Sequence, residues 1–242
     1  MTSSASAIVE REFEVPTGPV TVAGVLSVPT EVRGTIVFAH GSGSGRFSPR
    51  NRAVARVLLQ AGFATLVMDL LTAEEEKDEI RERSRLRFDV ELLAERVIGA
   101  IDWLTHDAMI GDLPTILGEV PVGCFGASTG AAAALIAAAE RPLRVGAVVS
   151  RGGRPDLAGE ALRRVTAPTL LIVGGLDTEV IELNRRAQAM LGGESRLVIV
   201  PGATHLFEEP GALEQVASQA RDWFLEHLAG RRAPSSGQRS AR

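Results

Sequence analysis

A short glycine-flanked serine motif in the sequence has the residue types that nucleophilic catalysis requires. Gly126, Ser128 and Gly130 form the pattern G-x-S-x-G between an apolar run and a segment of small residues. A serine on a tight strand-to-helix turn has a strained backbone, so its neighbours must be small, and the turn directs the hydroxyl away from the sheet. The helix N-terminus favours negative charge developing beside the hydroxyl. We therefore predict that Ser128 is a nucleophile; the alternative is a plain Gly/Ser turn that starts a helix.

A serine nucleophile needs a base, and the base needs an acid that orients it. His205 follows the last apolar run of strand character, and Asp177 follows the run before it. The order serine, aspartate, histidine along the chain suits a nucleophile placed on such a turn, and the ends of parallel strands share one edge of a sheet. We predict Asp177 as the acid and His205 as the base. Asp156, and after it Asp69, are the alternatives for the acid.

A glycine-rich stretch, HGSGSG at 40–45, follows the first buried run. Such a loop can direct a backbone N–H at an oxyanion, together with the amide of the residue after the nucleophile. We predict Ser42 and Thr129 as the two donors, with Gly43 as the alternative to Ser42, and expect His40 to brace the loop. A phosphate-binding loop is not supported, because no Lys-Ser/Thr pair follows and the dinucleotide spacing is missing.

The elements that must position these residues alternate between short apolar runs and segments with helical spacing. Unbroken apolar runs indicate strands that are covered on both faces, as in a parallel sheet. They are Thr35–Ala39, Ala64–Met68, Val120–Phe125, Val145–Val149, Thr169–Val173 and Arg196–Val200. The helical segments are Arg52–Ala61, Phe88–Thr105, Gly130–Glu140, Asp156–Arg164, Glu179–Leu191 and Ala212–Leu228. This alternation predicts an α/β fold, a mostly parallel twisted sheet with helices on both faces.

The chain before the first buried run has a different pattern. Arg11–Val15 and Val20–Val28 alternate loosely around a Pro/Gly-rich turn, which predicts an antiparallel hairpin at the edge of the sheet. We expect residues 1–230 to form a single domain, because a chain of 242 residues suits one α/β domain better than two. Residues 231–242, rich in Arg, Ser and Gly, are predicted to be a disordered tail.

One densely charged segment, Thr72–Arg87, departs from the alternation and is acidic in its first half and basic in its second. Thr72 followed by Glu75 fits a capping box, and the charge order suits the helix dipole. The segment has two interpretations, a solvated surface helix or a small mobile lid near the site.

Composition limits the classes of partner. The net charge of −4 provides no basic footprint for nucleic acid. The longest apolar stretch, Ala131–Ala139, is too short to cross a membrane. The N-terminus does not resemble a signal peptide, and the single cysteine, Cys124, cannot form an intrachain disulfide. We expect a cytoplasmic protein that binds neither nucleic acid nor membrane; its oligomeric state cannot be read from the sequence.

With these motifs placed, residues 34–228 resemble the α/β-hydrolase superfamily and, within it, the dienelactone hydrolase-like group. The motifs that carry the resemblance are His40–Ser44, Ser48–Asn51, Met68–Thr72, the Ser128 turn, and the neighbourhoods of Asp177 and His205. Dienelactone hydrolases proper use a cysteine nucleophile, whereas this sequence has Ser128 at that position. It therefore looks like a serine-type relative, and Cys124 is expected to be a small core residue.

The resemblance implies an α/β-hydrolase fold and hydrolysis of an ester, a lactone or a related small acyl compound, without a metal or organic cofactor. Arg151 and Arg154 follow a strand end, so either could bind a substrate carboxylate; the alternative is that they are solvated or paired with Asp156 or Glu179. Thioester hydrolysis, acyl transfer, cofactor-free haloperoxidase activity and a non-catalytic binding or regulatory role are the other functions considered. Similar domains also occur fused to phosphoribosyltransferase domains, and the sequence predicts no such partner here.

Overall fold

A computed structural model describes residues 8–82, 85–106 and 115–229 of the chain. The strands are β1 (Ile8–Pro16), β2 (Thr21–Pro29), β3 (Gly34–Ala39), β4 (Phe63–Met68), β5 (Val122–Ala127), β6 (Val145–Arg151), β7 (Thr169–Gly174) and β8 (Ser195–Val200). The α-helices are α1 (Pro49–Gln60), α2 (Ala73–Glu82), α3 (Val90–His106), α4 (Thr129–Glu140), α5 (Thr178–Gln188) and α6 (Ala212–Leu228). Short 3₁₀ segments cover Leu86–Phe88, Thr115–Gly118 and Pro155–Arg164.

The strands form one eight-stranded sheet in the order β1-β2-β4-β3-β5-β6-β7-β8. β1 pairs antiparallel with β2, and β2 pairs antiparallel with β4. All of the remaining neighbours, from β4 through β3 to β8, are parallel. The predicted mostly parallel sheet with an antiparallel N-terminal edge is confirmed. The carboxyl ends of β3, β5, β6, β7 and β8 consequently meet at one edge, where the loops that carry the candidate residues begin.

The sheet is covered on both faces, which explains the unbroken apolar runs. Along β5, Cys124 belongs to the core cluster that packs against α3 and α4, whereas Phe125 belongs to the cluster that packs against α1 and α6. Successive residues point to opposite faces of a strand, so both must be apolar when helices cover both faces. Cys124 is completely buried, which raises the pKa of its thiol to about 12. The prediction that it is a core residue is confirmed.

The structure differs from the sequence prediction in the type of one segment and in several element bounds. Pro155–Arg164 is not an α-helix but 3₁₀ turns interrupted at Gly159, whose φ of 52° and ψ of −133° no helix contains. β5 begins at Val122 instead of Val120, because Pro121 has no N–H to donate to a neighbouring strand. α5 ends at Gln188, three residues earlier than the apolar spacing predicts.

Two predictions fall wholly or partly outside the described residues. The disordered tail at 231–242 lies outside them, as do residues 83–84 of the charged segment. Within the described parts of the chain, no helix combines the length and the apolar character needed to cross a membrane.

Candidate active site

Ser128 lies between the end of β5 and the first residue of α4, with a φ of 50° and a ψ of −122°. Such a backbone conformation is strained for any residue with a Cβ and persists only where the surroundings enforce it. The glycines on either side are a steric requirement. A Cβ on Gly126 would lie 2.4 Å from Cα of Ala131, and one on Gly130 would lie 2.2 Å from the carbonyl oxygen of Ala39. The motif therefore has the strand–turn–helix context that its spacing predicts.

Backbone hydrogen bonds to the end of β6 and the loop that follows it, residues 151–154, hold the strained serine on both sides. The Ser128 amide donates to the carbonyl oxygen of Arg151 over 3.3 Å. The carbonyl oxygen of Ser128 accepts from the amide of Arg154 over 3.0 Å. We call residues 151–154 the support loop, because the position of the candidate nucleophile depends on it.

The candidate base and acid are in contact. Nδ1 of His205 and Oδ2 of Asp177 are 2.6 Å apart. Asp177 follows β7 as the residue before α5, and His205 lies in the loop that follows β8. A carboxylate accepts hydrogen bonds, so Nδ1 carries the proton of this contact, and in the neutral tautomer Nε2 is the nitrogen that can accept a proton. That tautomer is the one a general base needs.

The alternative acids have other partners. Asp156 accepts two hydrogen bonds from Arg154, at 2.9 Å from Nε and 2.8 Å from Nη2. Asp69 accepts from the backbone amide of Arg46 over 2.7 Å and also pairs with the Arg46 guanidinium. Neither geometry leaves the carboxylate available to orient an imidazole. Asp177 is thus the acid that the geometry favours.

Ser128 and His205 approach the same turn of the support loop without a hydrogen bond between their side chains among the described residues. A Cβ on Gly152 would lie 3.0 Å from the carbonyl oxygen of His205 and 3.6 Å from its Cε1. Arg151, the preceding residue, accepts the amide hydrogen bond of Ser128. Catalytic hydrogen bonds in ligand-free sites are often long and tighten when substrate binds. The backbone of Ser128 and the ring of His205 therefore both lie at the support loop.

The glycine-rich loop after β3 lies directly against Ser128. A Cβ on Gly41 would be 2.9 Å from Cβ of Ser128 and 3.2 Å from the carbonyl oxygen of Ala127. The amides of Ser42 and Thr129 donate to no acceptor within the described ranges. Thr129 is also the first residue of α4, where the positive end of the helix dipole favours an anion. Both predicted amides are therefore next to the turn and available for a ligand oxygen.

His40 braces this loop, as predicted. Its Nε2 accepts a hydrogen bond from the amide of Leu70 over 3.0 Å, and its Nδ1 is 2.9 Å from the carbonyl oxygen of Gly41. A backbone N–H can only donate and a carbonyl can only accept, so the ring is neutral with the proton on Nδ1. Burial lowers the pKa of His40 further, which favours the same state.

A cleft of about 680 Å³ runs along the glycine-rich loop, a volume typical of small-molecule sites. Besides the loop and the start of α1, it is lined by Asp69, Leu71, Glu76, Arg87 and Leu93. The charged segment therefore forms one wall of the cleft. Among the described residues, no group of three or more His, Cys, Asp or Glu side chains has the arrangement of a metal site.

The charged segment is fixed at its start by the predicted capping box. The Thr72 amide donates to Glu75 Oε2 over 2.8 Å, and the Glu75 amide donates to Thr72 Oγ1 over 3.1 Å. Arg96, a buried residue of α3, donates to Glu75 Oε1 over 2.7 Å. This ion pair attaches the first turn of α2 to α3.

The two candidate substrate arginines differ sharply in their surroundings. Arg154 is held in the bidentate pair with Asp156 described above, and the hydrogen bonds to that carboxylate raise its pKa. Arg151 is buried, 7% exposed, and its Nε and Nη1 have no hydrogen-bond partner.

Sequence reasoning missed Asn184, which the structure connects to the support loop. This residue of α5 is completely buried, and its Nδ2 donates to the carbonyl oxygens of Gly153, over 3.0 Å, and Val180, over 2.8 Å. A signal was present in the sequence: Asn184 is a polar residue on the same helix face as the buried residues Val180, Ile181 and Ala187.

A family model supplies the comparison that decides the classification. The model described as the dienelactone hydrolase family matches residues 22–228. The chain belongs to the dienelactone hydrolase family. The resemblance inferred from the sequence motifs is therefore confirmed.

Some similar proteins are about twice as long as this chain, and others have a similar length. A protein of Mycobacterium tuberculosis strain H37Rv, named "Putative phosphoribosyl transferase", is 60% identical over 221 residues, which cover 91% of this chain and 47% of that protein. The chain thus spans about half the length of the curated relatives it matches. A dienelactone hydrolase structure from Anabaena variabilis is 56% identical, with a TM-score of 0.85, and the match covers 91% of this chain and 99% of that one.

More distant structures agree in fold. Est1E from Butyrivibrio proteoclasticus has a TM-score of 0.70 at 16% identity, with 89% of this chain and 98% of that chain covered. At this identity the likeness extends to the α/β-hydrolase fold alone.

Proposed function

We propose that this dienelactone hydrolase family member is a serine hydrolase that cleaves an ester, a lactone or a related acyl bond. Ser128 is the nucleophile, His205 the general base and Asp177 the group that orients it. The observation that carries the proposal is the 2.6 Å contact between His205 and Asp177 at the sheet edge where Ser128 occupies a strained turn. A paired histidine and carboxylate beside a strained serine is the arrangement that activates a hydroxyl group.

The proposed reaction has two halves that use the same residues. His205 Nε2 takes the Ser128 hydroxyl proton as Oγ bonds to the acyl carbon, and the tetrahedral oxyanion accepts hydrogen bonds from the amides of Ser42 and Thr129. The oxyanion then collapses, the bond to the leaving oxygen breaks, and imidazolium protonates that oxygen. In the second half, water adds to the acyl-enzyme with His205 again taking the proton, and Ser128 is regenerated as the carboxylic acid leaves.

The environment of the pair supports this assignment of roles. The Asp177 carboxylate contacts the ring that becomes positively charged in each half-reaction, and this contact stabilises the imidazolium. The glycine-rich loop, which carries the Ser42 amide, is held in place before reaction by the His40 hydrogen bonds to Gly41 and Leu70. Donors that are already oriented need no rearrangement as charge develops.

The name of the M. tuberculosis relatives suggests a second reaction, phosphoribosyl transfer. The family model covers nearly all of the described chain, whereas the chain corresponds to 47% of those relatives. We therefore assign hydrolysis, and not phosphoribosyl transfer, to the residues present here.

The proposal is tested by comparing wild type and Ser128→Ala in the hydrolysis of short-chain p-nitrophenyl esters and in labelling by a fluorophosphonate. We expect Ser128→Ala to lose at least about 10³-fold in turnover and all labelling. Equal activity in the two proteins would overturn Ser128 as nucleophile. Wild-type protein that neither hydrolyses the esters nor labels would favour a non-catalytic binding role.

Cys124→Ala is the matched control, because cysteine is the nucleophile in dienelactone hydrolases proper. Cys124 is completely buried in β5, and its thiol has a pKa raised to about 12. A thiol that is neutral and inaccessible cannot attack a substrate. We expect this variant to keep most of its activity and to label normally.

A further inference from the structure

The backbone pairing of Arg151 places this residue beside Ser128. It is the last residue of β6, its Cα is in register with that of Ala127, and its carbonyl oxygen accepts the Ser128 amide. A Cβ added to Gly153 would contact both Oγ of Ser150 and Cβ of Ala131, which is a residue of α4. Ser150, the residue before Arg151, therefore points towards α4. Successive strand residues point to opposite faces, so Arg151 points to the face of α1 and α6.

This guanidinium is buried without a counter-charge. Its Nε and Nη1 are buried and unpartnered, and Arg151 takes part in no ion pair within the described ranges. Burial, followed by the charge of Arg50, lowers its pKa to about 10, which still leaves it charged near neutral pH. An unpaired buried cation destabilises the fold, so its retention calls for a partner.

Other arginines near the site have carboxylate partners. Arg154 pairs with Asp156, and Arg46 pairs with Asp69. The charge of another cation, Arg50, contributes to the lowered pKa of Arg151. Arg151 is thus the exception among these arginines.

Arg50 contributes a second positive charge, which lies in the cleft. It is the second residue of α1 and lines the 680 Å³ cleft, and its Nε is buried without a partner. Its Nη1 is 3.2 Å from Glu208 Oε1, but Glu208 is 64% exposed, so solvent screens that pair strongly. The N-terminus of α1 adds the positive end of a helix dipole beside Arg50, and there the Ser48 hydroxyl already accepts the Asn51 amide.

We propose that Arg151 and Arg50, with the N-terminus of α1, form a subsite for a phosphate group carried by the acyl substrate. Two guanidinium groups and a helix N-terminus suit a doubly charged oxyanion better than a single carboxylate, because more than one positive charge needs compensation. The substrate assignment rests on the proposed Ser128 hydrolase. It specifies the class of substrate as a phosphorylated ester or lactone whose acyl carbon reaches Ser128.

The test compares three p-nitrophenyl esters of similar length, those of hexanoic, adipic and ω-phosphonovaleric acid. They present a methyl group, a carboxylate and a phosphonate at the same distance from the acyl carbon. We expect wild type to have its highest kcat/KM on the phosphonate ester. Arg151→Met should lower the phosphonate-to-hexanoate ratio of kcat/KM by about 10–100-fold, the loss expected for charge-assisted hydrogen bonds. Arg50→Met should lower it in the same direction.

Several results would overturn the subsite. They are equal losses on all three esters in Arg151→Met, no preference of wild type for the phosphonate ester, or a preference for the adipate ester over it. Arg163→Met controls for the loss of one positive charge, since Arg163 is a surface residue paired with Glu160. Its ester ratio should equal that of wild type. Should Arg151→Met fail to fold, Arg151→Lys, which keeps the charge but loses the planar fork, is expected to lower the ratio as well.

Failure of the subsite and failure of the hydrolase are distinguishable. Hydrolysis of the hexanoate ester without a phosphonate preference leaves the hydrolase intact and removes the subsite. If wild type cleaves none of the esters, calorimetric titration with inorganic phosphate tests the subsite alone. Binding to wild type that is lost in Arg151→Met supports the subsite, and equal or absent binding in both overturns it.

Discussion

The side-chain amide of Asn184 donates a hydrogen bond to the carbonyl oxygen of Gly153, 3.0 Å away, and joins two parts of the candidate site. Asn184 belongs to α5, the helix that begins directly after Asp177. Gly153 belongs to the support loop, whose backbone holds Ser128 from both sides. The helix that follows the proposed acid and the loop that holds the proposed nucleophile are therefore connected through one buried amide.

Replacing Asn184 by alanine should lower both stability and turnover. The change leaves the Gly153 carbonyl buried without a donor, at a cost of about 1–3 kcal/mol in the free energy of unfolding. A displaced support loop misplaces Ser128, so kcat should fall while KM changes little. Urea unfolding and ester hydrolysis measure the two effects.

Gln188→Ala is the control on the same helix, because the Gln188 side chain donates to the carbonyl oxygen of Ser195 and not to the support loop. Its kcat should stay close to wild type. A kcat for Asn184→Ala equal to that of Gln188→Ala would show that the Asn184 bond contributes only to stability.

Gly41→Ala should impair the glycine-rich loop that carries the proposed oxyanion donor Ser42. The added Cβ would lie 2.9 Å from Cβ of Ser128, closer than real contacts allow, and a tight 3.2 Å from a backbone oxygen, so the loop must move. Displacing one oxyanion donor is expected to lower turnover by about 10²–10³-fold, with a smaller effect on KM. Steady-state kinetics on a p-nitrophenyl ester measures this.

Gly118→Ala is the control, because it makes the same substitution at a position with room for a Cβ. The nearest heavy atoms to that Cβ would be 3.7 Å away. It should keep the turnover of wild type. If Gly41→Ala does the same, the Gly41 loop is not part of the oxyanion site.

Elements with a local signal were predictable from the sequence. The turn at Ser128 is an example, because its strained backbone requires small neighbours and the motif contains them. The strands were equally clear, because a sheet covered on both faces needs an apolar residue at every position. The 3₁₀ segment at 155–164 was not, since one glycine at positive φ interrupts an otherwise helical spacing.

The features that depend on distant contacts could not be predicted. The burial of Arg151 without a partner is one of them, whereas the pairing of Arg154 with Asp156, two residues away, is an alternative that the sequence itself offers. His40 receives its hydrogen bond from Leu70, thirty positions along the chain. Such partners are fixed by the order of strands in the sheet, which no local pattern contains.

His40 should make the protein less stable at mildly acidic pH. Its folded-state pKa is lowered from 6.5, mainly by burial, against opposing contributions from Gly41, Asp69 and Glu76. As the pH falls below 6.5, His40 binds a proton in the unfolded chain but not in the folded chain. The free energy of unfolding therefore declines until the pH reaches the folded-state pKa of His40. The slope of this decline is at most about 1.4 kcal/mol per pH unit, and full stability returns above 6.5.

His40→Gln keeps an acceptor for Leu70 but cannot titrate. Urea unfolding of both proteins between neutral and mildly acidic pH should show a smaller decline in the variant. Since every other titrating group is shared, identical pH profiles would mean that His40 does not contribute to the acid sensitivity.

Arg151→Met should stabilise the fold, even though the proposed subsite predicts that it harms recognition of a phosphorylated substrate. Methionine fills much of the same volume and removes a buried cation that has no counter-charge. We expect the free energy of unfolding to rise by about 1–3 kcal/mol, and each kcal/mol to raise Tm by about 2–4 °C for a chain of this size. A group retained at a cost to stability is typical of a functional site. A lower Tm for Arg151→Met, measured by thermal unfolding without phosphate, would instead identify Arg151 as a structural residue.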